Sequence, residues 1–94
     1  MFKLAFHALA KKEWDKLNMP VREQFKKKLK ERLEGDPRVE KDRLRGVADA
    51  YKIKLRSAGF RLVYLVNDDT VTVYVIAVGR RDKNAVYDSM KSRV

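Results

Sequence analysis

Basic side chains recur at every second position of one short segment of the chain. Lys52, Lys54 and Arg56 alternate with three apolar residues, which is the period of a half-buried β-strand. Cβ atoms two residues apart on a strand are about 7 Å apart, so these cations repel one another, and such repulsion lowers the pKa of a lysine. A neutral amine then becomes accessible beside groups that attract an anion.

A fourth cation, Arg61, follows the turn that the sequence Ser57-Ala58-Gly59 predicts. In a hairpin centred on Ala58, positions 54 to 56 lie opposite positions 60 to 62, which brings Arg61 to the same cluster. A single lysine on a sheet is most simply a solvent-facing residue. Four cations in one hairpin cost self-repulsion that solubility does not require, so the pattern favours phosphate binding.

The residue types used by most hydrolases are scarce. The chain has no cysteine and one histidine, His7, which lies at the end of a predicted strand and is interpreted as a structural or capping residue. No glycine-rich phosphate loop or metal-ligand spacing is present, and the acidic residues of the sheet half lie in a turn, at Asp68 and Asp69, or near the end, at Asp82 and Asp88. The pattern argues against a two-metal nuclease, and we expect no metal and no cofactor. Chemistry on a phosphate must therefore use Lys, Arg and Tyr.

Length and charge limit the possible partners. The 94 residues carry 23 Lys and Arg against 13 Asp and Glu, a net charge of +10, and 45% are hydrophobic. A chain of this length encloses one core, so we expect a single domain over residues 1–94. The surplus charge favours nucleic acid as a partner. No apolar stretch is long enough to span a membrane, and nothing resembles a secretory signal, so the expected location is the cytoplasm.

The elements that position these residues follow from the apolar periods. Phe2 to Phe6 alternate as a strand, Ala10 to Leu17 follow helical spacing, and a second helix begins at Asn18 and ends at Gly35. Three strands and a short helix containing Val86 and Met90 complete the chain. The predicted fold is α+β in the order β-α-α-β-β-β-α, with an N-terminal strand and a helical hairpin on one face of a small antiparallel-rich sheet. The basic residues are expected on the other, uncovered face.

Several segments together resemble the RelE toxins, which are ribosome-dependent mRNA interferases of bacterial toxin–antitoxin pairs within the RelE/ParE superfamily. The resemblance covers nearly the whole chain and is carried mainly by residues 44–46, 51–64, 78–81 and 86–87. It implies that the protein enters the ribosomal A site and cuts the mRNA there through attack of a 2′-hydroxyl on the adjacent phosphate. The catalytic residues that it implies are Lys52, Lys54, Arg61, Arg81 and Tyr87, and the expected RNA-binding residues are Arg45, Arg56, Arg80 and Lys83.

Physical chemistry ranks the roles within that set. Arg61 and Lys52 suit the charge that builds on the phosphate oxygens, and Lys54 suits the general base because its neighbours lower its pKa. Tyr87 would orient or assist, and Arg81 would stabilise the leaving charge, since guanidinium is a poor proton donor. These groups are weak catalysts, so alignment of the mRNA by the ribosome must supply most of the rate.

The resemblance also implies partners. They are the 70S ribosome, with its rRNA and A-site mRNA, and a RelB-type antitoxin that is partly disordered and acidic. Operator DNA would be bound only through the toxin–antitoxin complex. Two alternatives remain at this point: a toxin of the ParE type, which poisons gyrase, and a non-catalytic RNA-binding or ribosome-binding protein whose basic face only docks. The basic face of the second helix, interleaved with glutamates, is interpreted as a solvated surface or a broad contact with RNA.

Overall fold

A computed structural model describes residues 1–80 and 85–94 of the chain. Its helices and strands follow the predicted order β-α-α-β-β-β-α, which confirms the α+β class. A short 3-10 helix over Glu40–Asp42 precedes the second strand. The elements are β1 (Lys3–Phe6), α1 (Ala8–Asp15), α2 (Met19–Glu34), β2 (Ala50–Leu55), β3 (Phe60–Asn67), β4 (Thr72–Arg80) and α3 (Ala85–Arg93).

The four strands form one sheet in the order β1-β4-β3-β2. The last three strands make an antiparallel meander, and β1 lies parallel to β4 at the opposite side. Because β1 is short, its pairing ends where Phe6 meets Val75. The remainder of β4 therefore has no strand beside it on that side within the described part of the chain.

The main core lies between the sheet and the helices α1 and α2. Asn18 begins α2 as predicted, since its side chain accepts a hydrogen bond from the backbone N–H of Val21 at 3.0 Å. Val21, Phe25 and Leu29 recur every four residues and are all buried. They pack with inward residues of the strands, including Ile53, in one cluster. His7 caps α1, with its Nδ1 accepting from the N–H of Leu9 at 3.1 Å, which confirms the capping interpretation.

The other face of the sheet is not uncovered, which corrects the expectation from sequence. Val86 and Met90 of α3 are buried there in a second cluster with Val63, Ile76 and Ala77. These strand residues make part of the second face apolar, and burying that surface against α3 stabilises the helix on it. Lys52 and Lys54 are half-buried beside the covered area.

The β2–β3 turn differs from its predicted form by one position. Residues 56–59 form a four-residue loop, Leu55 pairs with Phe60, and the N–H of Gly59 donates to the carbonyl of Leu55 at 2.8 Å. Gly59 adopts φ +73°, a left-handed conformation that glycine tolerates. Consequently Lys54 lies directly opposite Arg61, and Arg56 lies in the turn rather than on the strand.

None of the helices described here is long and apolar enough to cross a bilayer.

Candidate active site

Three of the predicted catalytic residues form a basic cluster on the α3 side of the sheet: Lys52, Lys54 and Arg61. Lys54 and Arg61 are cross-strand partners on β2 and β3, and Lys52 lies two positions earlier on β2. Side chains directly opposite one another in an antiparallel pair have Cβ atoms about 5 Å apart. The register therefore brings one guanidinium and two ammonium groups together, as the sequence predicted.

Repulsion within this cluster acts on Lys54. The charge of Lys52 is the largest cause that lowers the pKa of Lys54, and partial desolvation also lowers it. The charges of Arg61 and Arg56 lower it further. A lower pKa increases the fraction of Lys54 that is a neutral amine at a given pH, and the neutral amine is the form that can accept a proton.

Tyr87 joins the cluster from α3. Nη1 of Arg61 donates a hydrogen bond to the Tyr87 hydroxyl at 2.9 Å, and the guanidinium carbon lies 5.3 Å from the centroid of the ring. Because the hydroxyl oxygen accepts this bond, its own proton remains able to bind another acceptor. The Nε of Arg61 is buried and has no hydrogen-bond partner among the described residues. The pair thus presents a fixed guanidinium and a phenol side by side.

Gly79 allows α3 to come this close. It pairs with Arg61 across β3 and β4, and a Cβ at this position would lie 3.2 Å from Cγ2 of Val86. The neighbouring residue, Tyr87, depends on that close approach for its contact with Arg61. This role of Gly79 was not predicted from the sequence. The signal that could have indicated it is a glycine inside an apolar strand, which often marks a close approach of another element.

The structure describes three of the four residues that were predicted to bind RNA. Arg45 is exposed in the loop before β2, and Arg56 is exposed in the β2–β3 turn. Arg80 is exposed at the end of β4, with its guanidinium 5.1 Å from the ring centroid of Phe60. Arg81 and Lys83 lie outside the described residues. The structure therefore places three of the four predicted RNA-binding residues at the surface.

Two depressions adjoin the basic cluster. A cavity of about 240 Å³ is lined by Lys54, Arg56, Phe60 and Arg61, among others. A larger groove of about 650 Å³ runs from Lys54 and Arg56 toward Lys28 of α2 and Lys41. Both are open to solvent and have more positive than negative side chains in their lining, with Asp42 as the one carboxylate of the larger groove, and this charge suits a phosphodiester chain.

Within residues 1–80 and 85–94, no group of three or more His, Cys, Asp or Glu side chains is arranged to hold a metal ion.

The fold and this site define a small basic α+β protein that presents Lys, Arg and Tyr side chains to a phosphate. Comparison with known proteins identifies the family to which it belongs. The sequence signature described as ParE toxin of type II toxin-antitoxin system, parDE, matches residues 4–85. The chain therefore belongs to this family of toxins, and the following relatives place it with the RelE toxins.

The chain is 55% identical to the mRNA interferase toxin RelE of Escherichia coli K12 over 91 residues, 97% of this chain and 95% of that protein. A free double arginine-to-alanine mutant of E. coli RelE superposes with a TM-score of 0.91 at 53% identity, covering 99% of this chain and 97% of that one. The toxin in the intact E. coli RelBE toxin–antitoxin complex superposes with a TM-score of 0.84 at 55% identity, covering 88% and 100%. The recognition of a RelE-type toxin from sequence is confirmed.

Proposed function

We propose that the protein is the toxin of a type II toxin–antitoxin system and a ribosome-dependent endoribonuclease that cuts mRNA in the A site, which stops translation and growth. Residues 1–94 act as a single toxin domain. The observation that carries the proposal is the placement of Lys54 directly opposite Arg61, with Tyr87 hydrogen-bonded to Arg61 at 2.9 Å. A proton acceptor, an anion-binding group and a phenol thereby meet on one face.

Lys54 removes the proton from the 2′-hydroxyl of the mRNA. The 2′-oxygen then attacks the adjacent phosphorus while the bond to the 5′-oxygen of the next nucleotide breaks. The products are a 2′,3′-cyclic phosphate and a 5′-hydroxyl, whose oxygen takes up a proton from water. Repulsion from Lys52, which lowers the pKa of Lys54, makes this amine a better base near neutral pH than an isolated lysine.

Arg61 and Lys52 stabilise the negative charge that grows on the non-bridging phosphate oxygens. Charge-assisted hydrogen bonds from fixed donors are most effective where charge develops in the transition state. Tyr87 holds Arg61 and turns its own hydroxyl proton toward the phosphate. Arg81 stabilises the leaving oxygen rather than acting as a strong acid, because guanidinium keeps its proton at physiological pH.

The ribosome supplies the alignment that this site does not. Lysine, arginine and tyrosine are weak acid–base catalysts at neutral pH, so in-line geometry of the bound mRNA must provide much of the rate. Arg45, Arg56, Arg80 and Lys83 contact the RNA and hold the toxin on the mRNA and rRNA. Free RNA is therefore a poor substrate.

An acidic RelB-type antitoxin neutralises the protein. Support comes from the net charge of +10, which attracts an acidic chain, and from the E. coli RelBE complex, which pairs a similar toxin with its antitoxin. When this protein is paired with its antitoxin, operator DNA is bound only through the antitoxin. The protein works in the cytoplasm, where ribosomes translate.

The gyrase-poisoning function of ParE-type toxins is the second candidate, because the matching family is the ParE toxin family. That function does not need a proton acceptor, a guanidinium and a phenol gathered on one sheet face. The named relatives at 55% identity are mRNA interferases. Both observations favour cleavage of mRNA over poisoning of gyrase.

The test is toeprinting of a defined mRNA on programmed ribosomes with the wild type, Arg61→Ala and Lys27→Ala. We expect a cut within the A-site codon with the wild type and with Lys27→Ala, whose side chain is exposed on α2. Arg61→Ala should still bind the ribosome but cleave on the order of 10²-fold more slowly, since it loses a charge-stabilising donor. Equal cleavage by Arg61→Ala, or cleavage of free RNA at the same rate, contradicts the proposal.

A further inference from the structure

An ion pair outside the basic cluster joins α1, the first helix, to α3, the last helix. Nη1 of Arg93, in the last turn of α3, donates to Oε1 of Glu13 at 2.8 Å, and Nη2 donates to Oε2 at 3.0 Å. Two parallel bonds between a guanidinium and a carboxylate fix direction as well as distance. The side chain of Arg93 is 11% exposed and that of Glu13 is 31% exposed. The pair is therefore shielded and well oriented, unlike ordinary surface ion pairs.

Both partners of this pair also bind the backbone of β4. The N–H of Val78 donates to Oε1 of Glu13 at 3.1 Å, and Nη1 of Arg93 donates to the carbonyl of Ile76 at 2.8 Å. Ile76 is the extra residue of a register shift, since Ala77 pairs with Val63 and Val75 pairs with Tyr64. These backbone groups lie beyond the end of β1, where a strand edge needs other partners.

The position of the pair links elements on opposite faces of the sheet. Trp14 of α1 belongs to the main core, whereas Val86 and Met90 of α3 belong to the cluster on the other face. Glu13 and Arg93 meet around the edge of β4 and connect the two helices. A helix as short as α3 is not stable alone, because isolated helices below about 12 residues are marginal in water. Its placement depends on such contacts.

Tyr87 lies six residues before Arg93 on the same helix, which is about 9 Å along the helix axis. Two apolar anchors, Val86 and Met90, hold α3 against the sheet through hydrophobic contacts, which have no preferred direction. The Glu13–Arg93 pair adds a directional anchor at the C-terminal end, where a cation also interacts favourably with the helix dipole.

We infer that Glu13 and Arg93 are positioning residues, whose bidentate pair across the edge of β4 sets the position of α3 and holds the Tyr87 hydroxyl on Arg61. The inference rests on the proposed function for its effect on cleavage. Glu13 belongs to α1 and Arg93 to α3, and both bind the edge of β4. The hydrogen bonds that Arg93 donates to Glu13 raise the pKa of Arg93, so its guanidinium keeps its charge throughout the physiological pH range.

The first test does not use activity. Hydrogen exchange is measured on the wild type, on Arg93→Met and on Lys91→Met, which removes the same charge from an exposed position of α3. We expect the amides of α3 in Arg93→Met to exchange at least about tenfold faster, since charged hydrogen bonds are lost, while the amides of β3 keep their rates. Lys91→Met should match the wild type. Unchanged exchange in α3, or equal acceleration in β3, overturns the inference.

The second test measures single-turnover cleavage on programmed ribosomes in a double-mutant cycle with Tyr87→Phe. Arg93→Met should slow cleavage about tenfold or more without weakening ribosome binding, because a small misplacement of a reacting group is costly. In the Tyr87→Phe background the same substitution should cost little, since the group that it positions is already gone. Equal losses in both backgrounds overturn the inference and assign the pair to general stability.

Two further variants complete the design. Arg93→Lys retains a charge and part of the hydrogen bonding, so it should recover part of the rate that Arg93→Met loses. If Arg93→Met does not fold, Glu13→Gln replaces it, because Gln still offers an acceptor to the N–H of Val78. If the wild type does not cut mRNA, the proposed function fails, and the exchange measurement alone still decides whether the pair positions α3.

Discussion

The contact between Gly79 and α3 offers a direct test of how finely the phenol must be placed. Substituting Gly79 with Ala adds a Cβ at 3.2 Å from Cγ2 of Val86, whereas carbon atoms in contact settle at about 3.5–4.0 Å. The helix must therefore retreat by about 0.5 Å. Tyr87 follows Val86 in the chain and moves with it, away from Arg61.

The expected size of the effect follows from that displacement. A misplacement of 1 Å at an active site can cost about 10²-fold in rate, so a retreat of half that distance should cost about tenfold. Stability changes less, because overpacking costs about 1–3 kcal/mol while replacing a strand glycine returns about 0.5–1 kcal/mol. Gly79→Ala should thus fold, with cleavage reduced more than stability.

The assay is single-turnover cleavage on programmed ribosomes, with thermal denaturation alongside, in the wild-type and Val86→Ala backgrounds. Val86→Ala removes the Cγ2 atom that the new Cβ would meet, at the cost of a small gap. Gly79→Ala should therefore be nearly silent when it is added to Val86→Ala. The same loss in both backgrounds, or full activity of Gly79→Ala alone, would refute the reasoning.

Three further outcomes are expected. Lys52→Gln removes the main cause that lowers the pKa of Lys54, so that pKa rises and the normalised pH–rate profile should move to higher pH, whereas Lys27→Gln should leave it in place. Asn18→Ala removes the cap of α2 and should cost about 1 kcal/mol by urea denaturation, with cleavage at saturating protein unchanged. Arg80→Ala, compared with Lys30→Ala, should weaken ribosome binding and reduce its salt dependence while the rate at saturation stays within a few fold.

The features that the sequence predicted correctly are those fixed by neighbouring residues. The stripe of Val21, Phe25 and Leu29 and the cap at Asn18 depend on helical spacing and local hydrogen bonding, and both are found. Lys52 and Lys54 share a face because strand residues alternate, which again needs only local information.

The features that the sequence missed depend on distant residues or on a single backbone angle. The hairpin register is set by the left-handed conformation of Gly59. A hairpin centred on Ala58 would pair Lys54 with Leu62, whereas the observed register pairs Lys54 with Arg61. The burial of the second sheet face by α3 depends on Ile76 and Ala77. These residues lie in a continuous apolar run, and such a run does not show which of its side chains point to which face of the sheet. Glu13 and Arg93 are 80 positions apart, so no local pattern connects them.

Charge pairing across the molecule explains why the basic cluster is suited to an anion. Among the described residues, several arginines are partnered with carboxylates, as Arg32 is with Asp42 and Arg93 with Glu13. Lys52, Lys54 and Arg61 take part in none of the ion pairs found in the same part of the chain. Their mutual repulsion opposes folding of the hairpin, and the apolar packing on both faces of the sheet offsets it. A bound phosphate relieves that repulsion. The acidic residues of these ion pairs therefore stabilise the fold, whereas the charge that neutralises the basic cluster comes from a ligand.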